Sequence, residues 1–169
     1  MARADDTATN LLAGASISGA PIDVEALAQQ RGALIVHQAF EHGDVSGMLL
    51  REANRVIIGV NSTHSKVRQR FTIAHELGHL ELHPGRALIM DTPVRVNFRD
   101  RTSSLATDRE EMEANRFAAA LLMPADLVVA AAKASKAQTV DKLAETLAKK
   151  FAVSRDAMSY RLVNLGILS

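Results

Sequence analysis

The amino-acid sequence predicts an α+β fold: a small three-stranded antiparallel sheet packed on a helical core, completed by C-terminal helices arranged like a helix-turn-helix. Three observations carry this expectation. Three short runs rich in β-branched residues, "ALIVHQ", "VSGMLL" and "RVIIGV", are separated by the turn-forming stretches "EHGD" and "REAN". Connections this short favour an antiparallel meander. Around the runs lie segments whose apolar residues recur at helical spacing, the clearest bounded by Ser65 and by Pro84-Gly85.

Length and composition agree with one domain. A chain of 169 residues can bury roughly 70% of its unfolded surface. It is 47% hydrophobic and 23% charged, and no apolar run approaches the roughly 18 residues of a membrane span, so no membrane partner is expected. Twenty Lys and Arg against nineteen Asp and Glu leave a formal charge of +1, which marks the chain for neither nucleic acid nor lipid. The absence of cysteine excludes disulfides and thiolate metal sites, leaves any metal to His, Asp and Glu, and fits a cytoplasmic location. The opening stretch 1–20 carries acids where a signal peptide needs positive charge, and reads as a flexible leader or short helix before one functional domain over 21–169.

Along that domain, "PIDVEALAQQRG" predicts a first helix ended by Gly32. The three strands follow. Ser65 then caps a helix over 66–83 that Pro84 cannot continue. Residues 84–108 read as a long excursion with one strand at "VRVNF". "DREEMEANRFAAALLM" is helical up to Pro124, and the rest is helical again, split at "AVS".

The helix over 66–83 contains "HELGH". Residues four apart share a helix face, so His75 and His79 can both direct a ring nitrogen at one ion about 2.0–2.1 Å away. Glu76 is rotated about 100° from His75, so it flanks the metal and can accept a proton from water held there. Gly78 permits a close approach of backbone or substrate. With six His and nine Glu, such a pentapeptide arises by chance in roughly one similar sequence in a hundred. Its position inside a capped helix, with Val67, Phe71, Ala74 and Gly78 available as an apolar stripe behind the histidines, favours metal chemistry over chance.

A hydrolytic zinc site needs a third protein ligand. His83 continues the i+4 row but falls at the helix end, where it reads as a cap favoured by the helix dipole. Glu111 is the better source, because it sits at the end of the apolar stripe Ala114, Ala118 and Leu122 and would be costly to bury without a partner. Glu113 faces another side, Glu110 reads as solvent-exposed, and Asn115 is placed to hold the distal nitrogen of a ligand histidine.

Taken together, "VSGMLL", "VIIGVNSTHSKVRQRFTIAHELGHLELH" and "EEMEANRFAAALLMP" resemble the ImmA/IrrE-type metallo-endopeptidases, from about Pro21 to the C-terminus. The resemblance implies a zinc-dependent, gluzincin-like core with one Zn2+ per chain. It implies His75, His79 and Glu111 as ligands, with Glu113 as the fallback, and Glu76 as catalytic base. It further implies cleavage of a specific regulatory protein, of the kind that represses mobile elements or stress genes by binding DNA. The competing expectation is a non-catalytic DNA-binding regulator with a structural zinc.

The C-terminal part, 134–169, bears on that choice. Residues 133–169 hold seven Lys or Arg and three acids, and a second helix capped by Ser154 would display Arg155, Ser159, Arg161 and Asn164. Ala157, Met158, Leu162, Val163 and Leu165 can instead dock this helix, so packing or substrate recognition is expected over direct DNA binding.

Overall fold

The computed structural model describes residues 2–17, 19–41, 44–91 and 101–168, and the side chains of its longest helix from Asp108 onward. The elements are α1 (Ala2–Gly14), α2 (Val24–Gln30), β1 (Ala33–Gln38), β2 (Gly47–Glu52), β3 (Arg55–Asn61), α3 (Lys66–Leu82), β4 (Leu88–Asp91), α4 (Arg101–Leu122), α5 (Ala125–Ala134), α6 (Val140–Phe151) and α7 (Arg155–Asn164).

The fold is α+β, but the expected three-stranded antiparallel sheet is corrected to a four-stranded mixed one in the order β1-β3-β2-β4. The strands run in the directions a meander would give. Their order differs because β3 inserts between β1 and β2, parallel to β1 with Ile58 beside Ile35, and antiparallel to β2 with Ile58 beside Leu49. Burial explains the order: β3 ends in four consecutive buried residues, whereas β1 leaves Leu34 56% exposed. The most apolar run takes the position with neighbours on both sides. The fourth strand, β4, lies inside the stretch read as an excursion and pairs antiparallel with β2, setting Asp91 opposite Gly47. The strand expected at "VRVNF" lies outside the described residues.

Helix α3 forms where the caps require. Ser65 Oγ accepts the Arg68 N–H, and the His83 N–H donates to the His79 carbonyl. One face of α3 meets β2 and β3, and another meets α4. The second contact depends on Gly78, since a Cβ there would come 3.0 Å from Phe117 Cδ1 and 3.1 Å from Ala114 Cα. Arg51, at the end of β2, closes the C-terminus of α3 by donating to the carbonyls of His79, His83 and Arg86.

Residues 2–14, read as part of a leader or short helix, form α1. Ala4, Ala8 and Leu12 repeat every fourth residue and are buried, α1 lies against α4, and Asp5 pairs with Arg116 and Arg161. The C-terminal segment divides at 152–154 as expected. Ala152 takes the left-handed region, and its carbonyl accepts a hydrogen bond from Arg70 of α3. Helix α7 buries Met158 and Leu162. Arg161, expected on the displayed face, is buried too and donates to the Met123 carbonyl. No single helix among the described residues is long and apolar enough to cross a membrane.

Candidate metal centre

The i, i+4 spacing on α3 brings His75 and His79 together with their Nε2 atoms 3.1 Å apart. Helix α4 adds Glu111, whose Oε2 lies 3.2 Å from His75 Nε2 and whose Oε1 lies 3.2 Å from His79 Nε2. Both histidines are buried, and His75, His79 and Glu111 form a group that could hold a metal ion.

Each ring is oriented from behind. His75 Nδ1 is 3.0 Å from Asn115 Oδ1, one turn beyond Glu111, so its N–H is donated there and Nε2 is left with its lone pair facing the group. His79 Nδ1 is 3.1 Å from His83 Nδ1, and His83 Nε2 is 3.0 Å from Glu113 Oε2. Glu113 in turn accepts from Arg109. His83 is therefore more than a cap: it links the His79 ring to an anionic side chain on α4. Glu113 faces His83, and Glu110 faces Arg86.

Electrostatics follow from this packing. Burial works to raise the Glu111 carboxyl, but hydrogen bonds from the His75 and His79 rings in their protonated, metal-free form overcome it and hold Glu111 well below the usual carboxylate range. Burial works to lower His75, but the Glu111 hydrogen bond and surrounding carboxylates leave it raised; in His79 burial prevails and the value is lowered. Glu76 is fully buried with neither carboxylate oxygen hydrogen-bonded. Burial is the main force pushing it up, to about 8, with Asp91 and Glu111 adding to the rise and His75 opposing it.

Three features test whether a metal suits these residues. Tetrahedral donors at about 2.0–2.1 Å from one ion stand about 3.3 Å from each other, close to the 3.1 and 3.2 Å separations here. The donors are imidazole nitrogen and carboxylate oxygen, a set divalent zinc accepts. A buried carboxylate without hydrogen-bond partners, Glu76, stands beside them, and such a group is costly unless a bound cation and water use it. The residues fit a metal ion.

Two neighbours escaped the sequence reading. Asp91 at the end of β4 offers its carboxylate within 4.8 Å of donor atoms of His75 and Glu76. A short alternating strand in "ALIMD" was the signal, hidden by the Pro and Gly before it. Gly47, inside β2, leaves room for the Glu76 carboxylate, since a Cβ at 47 would stand 3.2 Å from Oε1. A glycine within a strand is itself a sign of close approach.

Comparison with known proteins finds proteins similar in sequence and fold. An "Uncharacterized immunity region protein 2" from Bacillus phage phi105 is 35% identical over 83 residues, covering 49% of this chain and 48% of the relative. A solved structure titled "Mycobacterium tuberculosis transcriptional regulator" superposes with a TM-score of 0.60 at 17% identity, covering 96% of this chain and 47% of that one, a likeness of fold. The chain thus spans about half the length of each. The model of the family Peptidase_M78, described as the IrrE N-terminal-like domain, matches residues 28–163. That match takes in all four strands, the whole of α3 and α4 and nearly all of α7, and the chain belongs to this metallopeptidase family.

Proposed function

We propose that the protein is a zinc-dependent endopeptidase that cuts a specific regulatory protein, of the DNA-binding repressor class, in the cytoplasm. The observation that carries this reading is the Glu76 carboxylate, fully buried and without hydrogen bonds beside the His75, His79 and Glu111 donors. The phage immunity-region relative supports a repressor as substrate.

His75, His79 and Glu111 would hold one zinc, leaving a fourth position open. Zinc, when bound there, supplies Lewis acidity toward water and the scissile carbonyl. Glu76 takes a proton from the attacking water and passes it to the leaving amine, a role suited to a carboxyl whose affinity for protons burial has increased. Asn115 and His83 keep the two rings in one orientation throughout. Among the described residues the outer edge of β4 pairs with no further strand, so an extended substrate segment can add there, next to Asp91 and the donors. Burial of Arg161, Met158 and Leu162 supports α7 as a packing element in preference to a DNA-reading helix.

Glu76→Gln decides between this reading and a regulator with structural zinc. The substitution preserves shape and donors, so zinc content stays at about one per chain while cleavage of the partner falls about 10²- to 10⁴-fold. A variant that still cuts at the parental rate would end the hydrolytic reading.

A further inference from the structure

Val67 and Phe71, spaced to lie behind the histidines, are only partly buried, and they line a groove of about 400 Å3 with Arg68, Ser65, Val153, Ser154 and Ala157. One wall is the first two turns of α3, and the other is the turn before α7 and its first residues. The position of the groove along α3 is informative. Phe71 and Arg68 precede His75 by four and seven residues, which places them about 40° and about 20° from it around the helix and about 6 Å and about 10 Å along the axis. The groove therefore lies one to two turns before His75, on the side of α3 that His75 occupies.

Two contacts fasten its walls to the catalytic side. Arg68 Nη2 donates to Ser46 Oγ, next to the Gly47 that faces Glu76. Arg70 of α3 holds the Ala152 carbonyl, fixing the turn that bears Val153 and Ser154. The groove is already formed without a ligand, with Val67, Phe71, Val153 and Ala157 as its apolar lining, which favours a pocket for one side chain.

We infer that this groove is a specificity pocket for a large apolar side chain of the peptide being cut, and that the turn between α6 and α7 serves substrate selection. An extended chain advances about 3.3 Å per residue, so the recognised residue lies within three positions of the cleaved bond. The inference rests on the peptidase reading above.

The test uses the full zinc-loaded chain and a peptide library prepared from a bacterial proteome, with cleavage sites read by mass spectrometry. The parent should cut with a preference for Leu, Met or Phe at one fixed position within three residues of the bond. Ala157→Phe and Val67→Trp fill the groove from opposite walls. Each should lower kcat/KM for those sites about tenfold or more and shift the preference toward small residues, with zinc content and Tm unchanged. Two independent variants guard against a folding defect in either. Parental cleavage with no apolar preference, or an unchanged preference in both filled variants, overturns the pocket while leaving the peptidase intact. No cleavage by the parent above the Glu76→Gln level overturns the peptidase reading and the pocket with it.

Discussion

Gly47 faces Glu76 across the β2–α3 interface so closely that a Cβ at 47 would stand 3.2 Å from the Glu76 Oε1 and overlap Thr72 Cγ2. The strand thus passes over Glu76, the proposed base, with no room for a methyl group. Gly47→Ala must push the start of β2 off α3, at a cost of about 1–3 kcal/mol, and misplace Asp91, its register partner. Cleavage should fall by at least about tenfold. Gly59→Ala is the control, because its closest neighbours are the side chains of Met48 and Phe40. Equal activity in both alanine variants would show that the approach over Glu76 has no catalytic consequence.

Glu111 and Glu113 make separable predictions. Glu111 faces both histidine Nε2 atoms, while Glu113 faces His83. Elemental analysis of chelator-free protein should find about one zinc per chain in the parent, little in Glu111→Ala, and near-parental zinc in Glu113→Ala when the metal is in excess. The reverse pattern would transfer the ligand role to Glu113.

His83 and Glu113 act on His79 through one chain of hydrogen bonds. Each alanine variant should weaken zinc about 10- to 100-fold in competition with a chelator. Because both act through the same ring, the double variant should be little worse than either single one. Asn115→Ala acts on His75 instead, so its effect should add to that of His83→Ala.

The metal-free protein should show the buried base in its pH dependence. Burial pushes Glu76 from 4.5 up to about 8. Between those values the native chain retains a proton that the unfolded chain has lost, so this residue's contribution to stability falls as pH rises through the window. Glu76→Gln lacks that dependence. In thermal melts with chelator present, its Tm advantage over the parent should grow from pH 4.5 to pH 8 and then level off. A pH-independent difference would mean that the Glu76 carboxyl is not raised.

Much of the centre was legible because helices are local. The spacing of His75, Glu76 and His79, the Ser65 cap, the Pro84 stop and the position of Glu111 ahead of Ala114 and Ala118 all follow from a 3.6-residue period that sequence displays directly. The same periodicity placed Asn115 one turn from Glu111, where it meets His75.

What only the tertiary structure decided depends on residues distant in sequence. Strand patterns show which residues face the core but not which strand lies beside which, so the insertion of β3 between β1 and β2 had to come from competition for the buried central position. The pairing of β4 with β2 then set Asp91 opposite Gly47, and the docking of α3 on α4 gave His83 its partner Glu113. Val67 and Phe71 show the same limit: helical spacing read them as part of a stripe behind the histidines, and the placement of α7 left them partly exposed as one wall of a groove. By itself the sequence determined the candidate donors and the proposed base; long-range packing determined what surrounds them, because contacts between distant segments leave no period in the chain.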